Sequence, residues 1–210
     1  MEEIVNKVQD QLRLNLPFVL YSKPNSKEVI VFFQKNDSVF EANDFTEKGF
    51  IMASFDGAKN YLIPESESEV VYTSLDKKEI AFSGKELTKA GNVAKSDFES
   101  LVNKGIQAIK NEQFQKVVLS RTETVAVANF DMVETFQKLV FLYPTAFVYC
   151  FYHPKIGNWI GATPEQLLKV TENNFETISL AGTQKDTGSS EILWGEKEKE
   201  EQEKRKKGNR

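Results

Sequence analysis

The sequence contains a single cysteine, Cys150, and a single histidine, His153, among its 210 residues. One cysteine excludes an internal disulfide framework, and one histidine gives no support for a histidine-rich metal site. The sequence also lacks any window of about 18 consecutive apolar residues, so it predicts no membrane-spanning helix. No glycine-rich loop is followed by Lys-Ser or Lys-Thr, which excludes the common phosphate-binding loop.

What is present is typical of a soluble globular protein: 40% of the residues are hydrophobic and 28% are charged. The 16 phenylalanines predict an aromatic-rich core. A formal net charge of -4 gives no reason to expect nucleic acid or an anionic membrane as a partner. The N-terminus is acidic and amphipathic, unlike a secretion signal. Together with the single cysteine, this predicts a cytoplasmic protein.

The pattern of apolar residues predicts both strands and helices. Short apolar runs bounded by Pro, Gly, Asn and Asp predict strands at 28–35, 49–55, 60–64, 69–75, 80–84, 116–128, 146–153, 158–162 and 175–183. Apolar residues at helical spacing predict helices at 3–15, 97–112 and 131–144. Because the first strands are not separated by helices, we expect an α+β fold, with a mainly antiparallel sheet and helices packed outside it.

The sequence changes character after Trp194, because residues 195–210 include no apolar side chain. A segment without an apolar face has nothing to bury, so we predict a core domain at 1–194 and a charged, frayed tail at 195–210. Spaced pairs such as Glu200/Lys204 would also permit a helix there.

Lys116 stands at the start of the Val- and Leu-rich run KVVLSR (116–121). Burying an ammonium group is costly unless something compensates for its charge. Lys116 is therefore either a strand-end lysine that reaches water, or a lysine held inside for chemistry.

Two further segments stand out, GATPEQLL (161–168) and SLAGT (179–183). Taken singly, each has a structural explanation. Pro164 and Glu165 are suited to the first turn of a helix. The sequence Ala181-Gly182-Thr183 is suited to a simple turn at the end of a strand.

Taken together and in this order, the three segments resemble the chorismate-utilising enzymes and, within them, the isochorismate synthases. The resemblance covers residues 95–201, and it implies the chorismate-binding fold found in anthranilate synthase component I. Lysine at 116 and alanine at 181 resemble the branch that adds water. The nitrogen-adding anthranilate and aminodeoxychorismate synthases differ at the first motif, and the aminodeoxychorismate synthases also tend to have a lysine where this chain has Ala181. Salicylate synthases share the first step and remain an alternative.

The resemblance implies a reaction and the residues that perform it. Water attacks C2 of chorismate while the C4 hydroxyl leaves, which requires a base and an acid. By resemblance Lys116 is the base and Glu165 the acid, so each is expected in surroundings that disfavour its charge. The ring pocket is expected to be lined by Thr163, Leu180, Ala181, Gly182 and Thr183, with Gly182 allowing close backbone approach.

The resemblance also implies Mg²⁺ as a cofactor that holds a substrate carboxylate. Glu201 is the expected ligand, although Glu198 and Glu200 fit the family segment nearly as well. The family pattern stops near Gln202, so we expect the chain to correspond to the N-terminal half of such an enzyme. Such a half would leave sheet edges unpaired and open to self-association. A truncated relative that only binds its ligand is therefore a further alternative.

Overall fold

The computed structural model describes residues 1–75, 92–127, 130–178, 182–184, 188 and 193–208 of the chain. Its elements are, in order, α1 (Glu2–Leu14), β1 (Phe18–Ser22), β2 (Glu28–Gln34), β3 (Phe40–Glu41), β4 (Gly49–Ala53), β5 (Asn60–Pro64), β6 (Ser68–Ser74), α2 (Asn92–Lys110), α3 (Met132–Leu142), β7 (Phe147–His153), β8 (Gly157–Thr163), β9 (Lys169–Thr171), β10 (Asn174–Glu176) and α4 (Glu196–Gly208). The chain divides into two compact units, residues 1–77 with 131–210 (unit 1) and residues 78–130 (unit 2).

The main element of unit 1 is a five-stranded sheet in the order β6-β2-β1-β7-β8, in which every neighbouring pair is antiparallel. The central strand β1 pairs with β2 through Leu20 and Val31, and with β7 through Leu20 and Cys150. Strands β1 and β2 are buried along almost their whole length. Both are continuous apolar runs, as expected of strands that are covered on both faces.

Helices α1 and α3 cover one face of this sheet. Ile4 and Val8 of α1 and Phe136 of α3 are buried in one cluster with inward-facing residues of the sheet. The Asp131 side chain caps α3 by accepting a hydrogen bond from the Glu134 N–H group at 2.9 Å. Helix α1 ends at Asn15, whose φ of 52° is the left-handed conformation common at helix ends.

The opposite face of the sheet packs against a three-stranded sheet in the order β3-β5-β4. The contact is aromatic: Phe50 of β4 lies 5.5 Å from Tyr21 and 6.2 Å from Phe151, measured between ring centroids. Unit 1 is thus a layer of helices, a five-stranded sheet and a smaller sheet. The expected α+β fold, mainly antiparallel with helices outside, is confirmed.

Unit 2 contains α2 and the chain that follows it. A Cβ atom placed on Gly105 of α2 would lie 3.3 Å from Val117 Cγ1 and 3.4 Å from Leu119 Cδ1, so this chain packs directly on the helix. The strand predicted at 116–128 is wrong for the described residues 116–127, which pair with no other strand. An extended segment forms a ladder only where a neighbouring strand exchanges backbone hydrogen bonds with it.

Some predicted elements differ in length or kind from the observed ones. The strand predicted at 175–183 is realised only in β10, which forms a two-stranded hairpin with β9. The strand predicted at 80–84 lies outside the described residues. Residues 196–208 form the helix α4, the conformation that the spaced charge pairs allowed. The domain boundary at 194 stays a prediction.

Candidate active site

The candidate site begins where β8 ends. Thr163 is the last residue of β8, and Pro164 has no N–H group with which to continue the ladder. The chain turns there so that the Glu165 N–H group donates a hydrogen bond back to Thr163 Oγ1 at 3.3 Å. Thr163 Oγ1 in turn donates to Glu165 Oε2 at 3.0 Å. The structure therefore brings two predicted site residues, Thr163 and Glu165, into direct contact. Glu165 is exposed, so the burial expected of it is wrong for this structure.

Thr163 lies beside the aromatic face of the sheet. It pairs across strands with Phe147, and Gly161 pairs with Tyr149, so these four residues share one face. A Cβ atom on Gly161 would lie 2.8 Å from Tyr149 Cε1, which shows that the tyrosine ring lies across the glycine backbone. The apolar wall next to Thr163 is therefore made by Phe147 and Tyr149. Neither was predicted as a site residue.

The segment after Glu165 runs beside the segment that leads to the third motif. The Thr177 hydroxyl donates a hydrogen bond to the Leu167 carbonyl at 2.6 Å, and the Ile178 N–H group donates to the Gln166 carbonyl at 3.4 Å. The β9–β10 hairpin thus brings Thr177 and Ile178, which precede the third motif in sequence, next to the second motif at 161–168. Leu180 and Ala181 themselves lie outside the described residues.

Gly182 lies close to the α4 segment, and the approach of its backbone to the substrate ring stays a prediction. Its φ of +75° is in the left-handed region. A Cβ atom at this position would lie 3.1 Å from both Cβ and Cγ of Glu198 and 3.2 Å from Trp194 Cζ3. Thr183 is exposed. Gly182 is therefore packed against the start of the helix that carries Glu201.

Helix α4 presents one side to the rest of unit 1. Glu198, Glu201 and Gln202 are half-buried, whereas Lys199 and Glu200 between them are exposed. Gly195 precedes the helix, and the first-turn bond runs from the Lys199 N–H group to the Gly195 carbonyl at 3.2 Å. The predicted metal ligand Glu201 lies three residues after Glu198, on the same side of the helix. The alternative ligand Glu200 faces away from that side.

Lys116 belongs to unit 2, and it is exposed. The predicted burial of Lys116 is wrong for this structure. Val117 and Leu119 contact α2 at Gly105, and alternation along an extended chain turns Lys116 and Val118 the other way. Val118 is accordingly 81% exposed. The role of Lys116 as a base stays a prediction.

The only cysteine and histidine of the sequence are buried structural residues. Burial raises the pKa of the Cys150 thiol to about 12, and the negative charge of Asp131 acts in the same direction. Such a thiol is a poor nucleophile at neutral pH. The Lys155 N–H group donates to His153 Nδ1 at 3.1 Å, so the ring proton lies on Nε2, which is 3.3 Å from the Ser38 carbonyl. His153 ends β7, as the sequence predicted.

The described residues contain no group of three or more His, Cys, Asp or Glu side chains that could hold a metal ion. Mg²⁺ does not require such a group, because it commonly binds one or two protein carboxylates, waters and an anionic group of the substrate. A glutamate such as Glu201 supplies the hard oxygen ligand that this ion prefers.

Within the described part of the chain, no helix is long and apolar enough to cross a membrane.

An open groove of about 680 Å³ runs along α2 between Ser96 and Asn111, with Gln113 at its end. Its lining is polar, and it contains none of the predicted site residues. The groove is open to solvent and does not enclose a ring-shaped ligand. The candidate site is therefore the Thr163–Glu165 turn and not this groove.

An antiparallel sheet between a layer of helices and a smaller sheet defines an α+β protein. A family model described as "chorismate binding enzyme" matches residues 29–204. The chain belongs to this chorismate-binding enzyme family, as the three motifs predicted. No curated protein and no solved structure matches the chain significantly.

Proposed function

We propose that the protein converts chorismate to isochorismate with Mg²⁺, by adding water at C2 and releasing the C4 hydroxyl. The observation that carries the proposal is the Thr163–Glu165 turn in a chain of the chorismate-binding enzyme family. A carboxyl group held in a defined orientation by a hydrogen bond from Thr163 is suited to protonate a departing hydroxyl. We further propose that the protein works in the cytoplasm and supplies menaquinone or siderophore synthesis.

Each predicted residue has one part in this proposal. Lys116 accepts a proton from the attacking water, and Glu165 donates a proton to the departing oxygen. Gly182 and its neighbours Leu180, Ala181 and Thr183 line the ring through their backbone. Mg²⁺, with Glu201 as a ligand, would neutralise a substrate carboxylate and so help to hold the substrate.

The exposure of Lys116 favours a second candidate, a relative that binds chorismate without converting it. In the part of the chain that the structure describes, the Lys116 side chain is exposed and is not enclosed in a substrate pocket. The two candidates differ in one measurable respect. The enzyme turns chorismate over, whereas the binding protein holds it unchanged.

The test follows chorismate and its products by chromatography, with the purified chain and Mg²⁺. We expect isochorismate to form, and we expect Lys116→Ala and Glu165→Gln each to lower kcat by about 10²- to 10⁴-fold, the usual contribution of a general base or acid. Lys110→Ala and Glu172→Gln are matched controls, because both residues are exposed and neither is assigned to the site.

Calorimetric titration with chorismate completes the test. Binding without turnover would replace the enzyme proposal by the binding-protein candidate. Release of pyruvate together with salicylate would instead identify the salicylate synthase reaction. Neither binding nor turnover would contradict both candidates.

A further inference from the structure

The hydroxyl of Thr163 contacts Glu165 at two points, the N–H group of Glu165 and the carboxylate of Glu165. The Glu165 N–H group is 3.3 Å from Thr163 Oγ1, and the same Oγ1 is 3.0 Å from Glu165 Oε2. Pro164 lies between them and restricts φ, which limits the ways in which the turn can open. The hydroxyl thus links the main chain and the side chain of one residue, and this restricts where the carboxylate can point.

The direction of both hydrogen bonds follows from the chemistry of the groups. A backbone N–H group can only donate, so the Thr163 oxygen must accept from Glu165. The hydroxyl then has its one hydrogen left, and Oε2 is the acceptor at hydrogen-bond distance. Oε2 is therefore occupied as an acceptor, whereas Oε1 has no such partner in this turn.

From this geometry we infer that Thr163 is a positioning residue that makes Oε1 the proton-donating oxygen of Glu165. The inference rests on the proposed function and adds to it which atom acts. A proton moves from Glu165 Oε1 to the C4 hydroxyl oxygen while the C4–O bond breaks and its electron pair stays with that oxygen. Water forms its bond to C2, the ring double bonds shift toward C4, and the base takes the proton that the attacking water loses.

Two substitutions separate this role from a merely structural one. Thr163→Val removes the hydroxyl and keeps the shape of the side chain, whereas Thr163→Ser keeps the hydroxyl. We expect Thr163→Val to lower kcat about 10-fold or more with KM changed little, because the carboxylate is no longer held. Thr163→Ser should recover most of kcat, and Thr171→Val is the matched control on the exposed strand β9.

A double-mutant cycle tests whether Thr163 acts through Glu165. Introduced into Glu165→Gln, Thr163→Val should lower kcat little further, because no proton-donating carboxyl group remains to be positioned. A rise in KM without a fall in kcat would show that Thr163 binds substrate instead, and it would overturn the inference while leaving the proposed function in place.

Amide hydrogen exchange provides a readout that does not depend on turnover. Loss of the Thr163 hydroxyl should speed exchange at the Glu165 amide in Thr163→Val but not in Thr163→Ser. Unchanged exchange in Thr163→Val would overturn the inference by itself. Absence of turnover in the unaltered chain would overturn the proposed function, and with it the catalytic role of Oε1, even if the exchange result held.

Discussion

His153 is almost fully buried at the end of β7, and its ring connects two loops. Burial lowers the pKa of His153, and the positive charge of Lys155 adds to this, while the Ser38 carbonyl and Asp37 act in the opposite direction. Protonation of Nδ1 would also break the hydrogen bond that Nδ1 accepts from the Lys155 N–H group. The neutral ring is therefore part of the folded state.

We predict that the free energy of unfolding decreases as the pH falls below about 6.5, the ordinary pKa of histidine. In that range the unfolded chain binds a proton that folded His153 does not, so stability rises with pH by at most about 1.4 kcal/mol per pH unit. Urea unfolding of the unaltered chain and of His153→Gln between pH 5 and 8 measures this. Equal pH slopes in the two proteins would contradict the prediction.

Contacts between immediate neighbours were predicted only in part from sequence. The sequence suggested the first turn of a helix at Pro164 and Glu165, whereas the structure has a turn without a helix, in which Thr163 and Glu165 are hydrogen-bonded. The exposure of Lys116 was not predictable from its neighbours in sequence, because it depends on which side of the extended segment meets α2. Val117 and Leu119 make that contact.

At the scale of elements, the contact between Gly182 and α4 allows a direct test. Gly182 and Gly188 have similar φ angles of +75° and +69°. Replacing either glycine by alanine should therefore cost about the same backbone strain, about 1–2 kcal/mol. Only at Gly182 would the added Cβ atom also meet Glu198 and Trp194, because no atom of the described residues lies within 4 Å of the corresponding position at Gly188. The two substitutions are therefore a matched pair.

We predict that Gly182→Ala destabilises the protein more than Gly188→Ala and also changes the fluorescence of Trp194. The indole ring lies 3.2 Å from the position of the new methyl group and has to move. The second tryptophan, Trp159, is on β8. In the background of Trp159→Phe the tryptophan fluorescence therefore comes from Trp194 alone. Identical spectra and equal unfolding free energies for the two alanine variants would show that the contact does not matter.

Most elements could be predicted from sequence, because apolar periodicity reports local burial. The strand β1 was missed although it is central to the sheet, because its five residues follow closely on α1 and Pro17 and show no alternation. The contact of Gly182 with Glu198 was missed for a different reason. It joins residues sixteen positions apart, and it exists only because α4 packs there.

At the scale of the whole molecule, the described part of the five-stranded sheet ends in β6 on one side and β8 on the other. An edge strand offers unpaired backbone groups to another chain. Trp159 on β8 is 55% exposed, which adds an apolar contact to that edge. Self-association through this edge remains our prediction from the sequence.

Analytical ultracentrifugation over a range of concentrations measures this self-association. We expect a concentration-dependent dimer, and we expect Trp159→Lys to raise its Kd about 10-fold or more, because a charge on an edge strand opposes pairing. Phe55→Lys is the control, since Phe55 is fully exposed in the turn between β4 and β5. A monomer at all concentrations, or an equal effect of both substitutions, would contradict the prediction.

The measurement that tests the central claim most directly is chorismate conversion by the unaltered chain in ¹⁸O-labelled water with Mg²⁺. If water adds at C2 and the C4 hydroxyl leaves, the isochorismate formed carries one labelled oxygen on its ring, and mass spectrometry detects it. Isochorismate without the label would contradict the proposed chemistry. Unchanged chorismate would contradict the proposed activity.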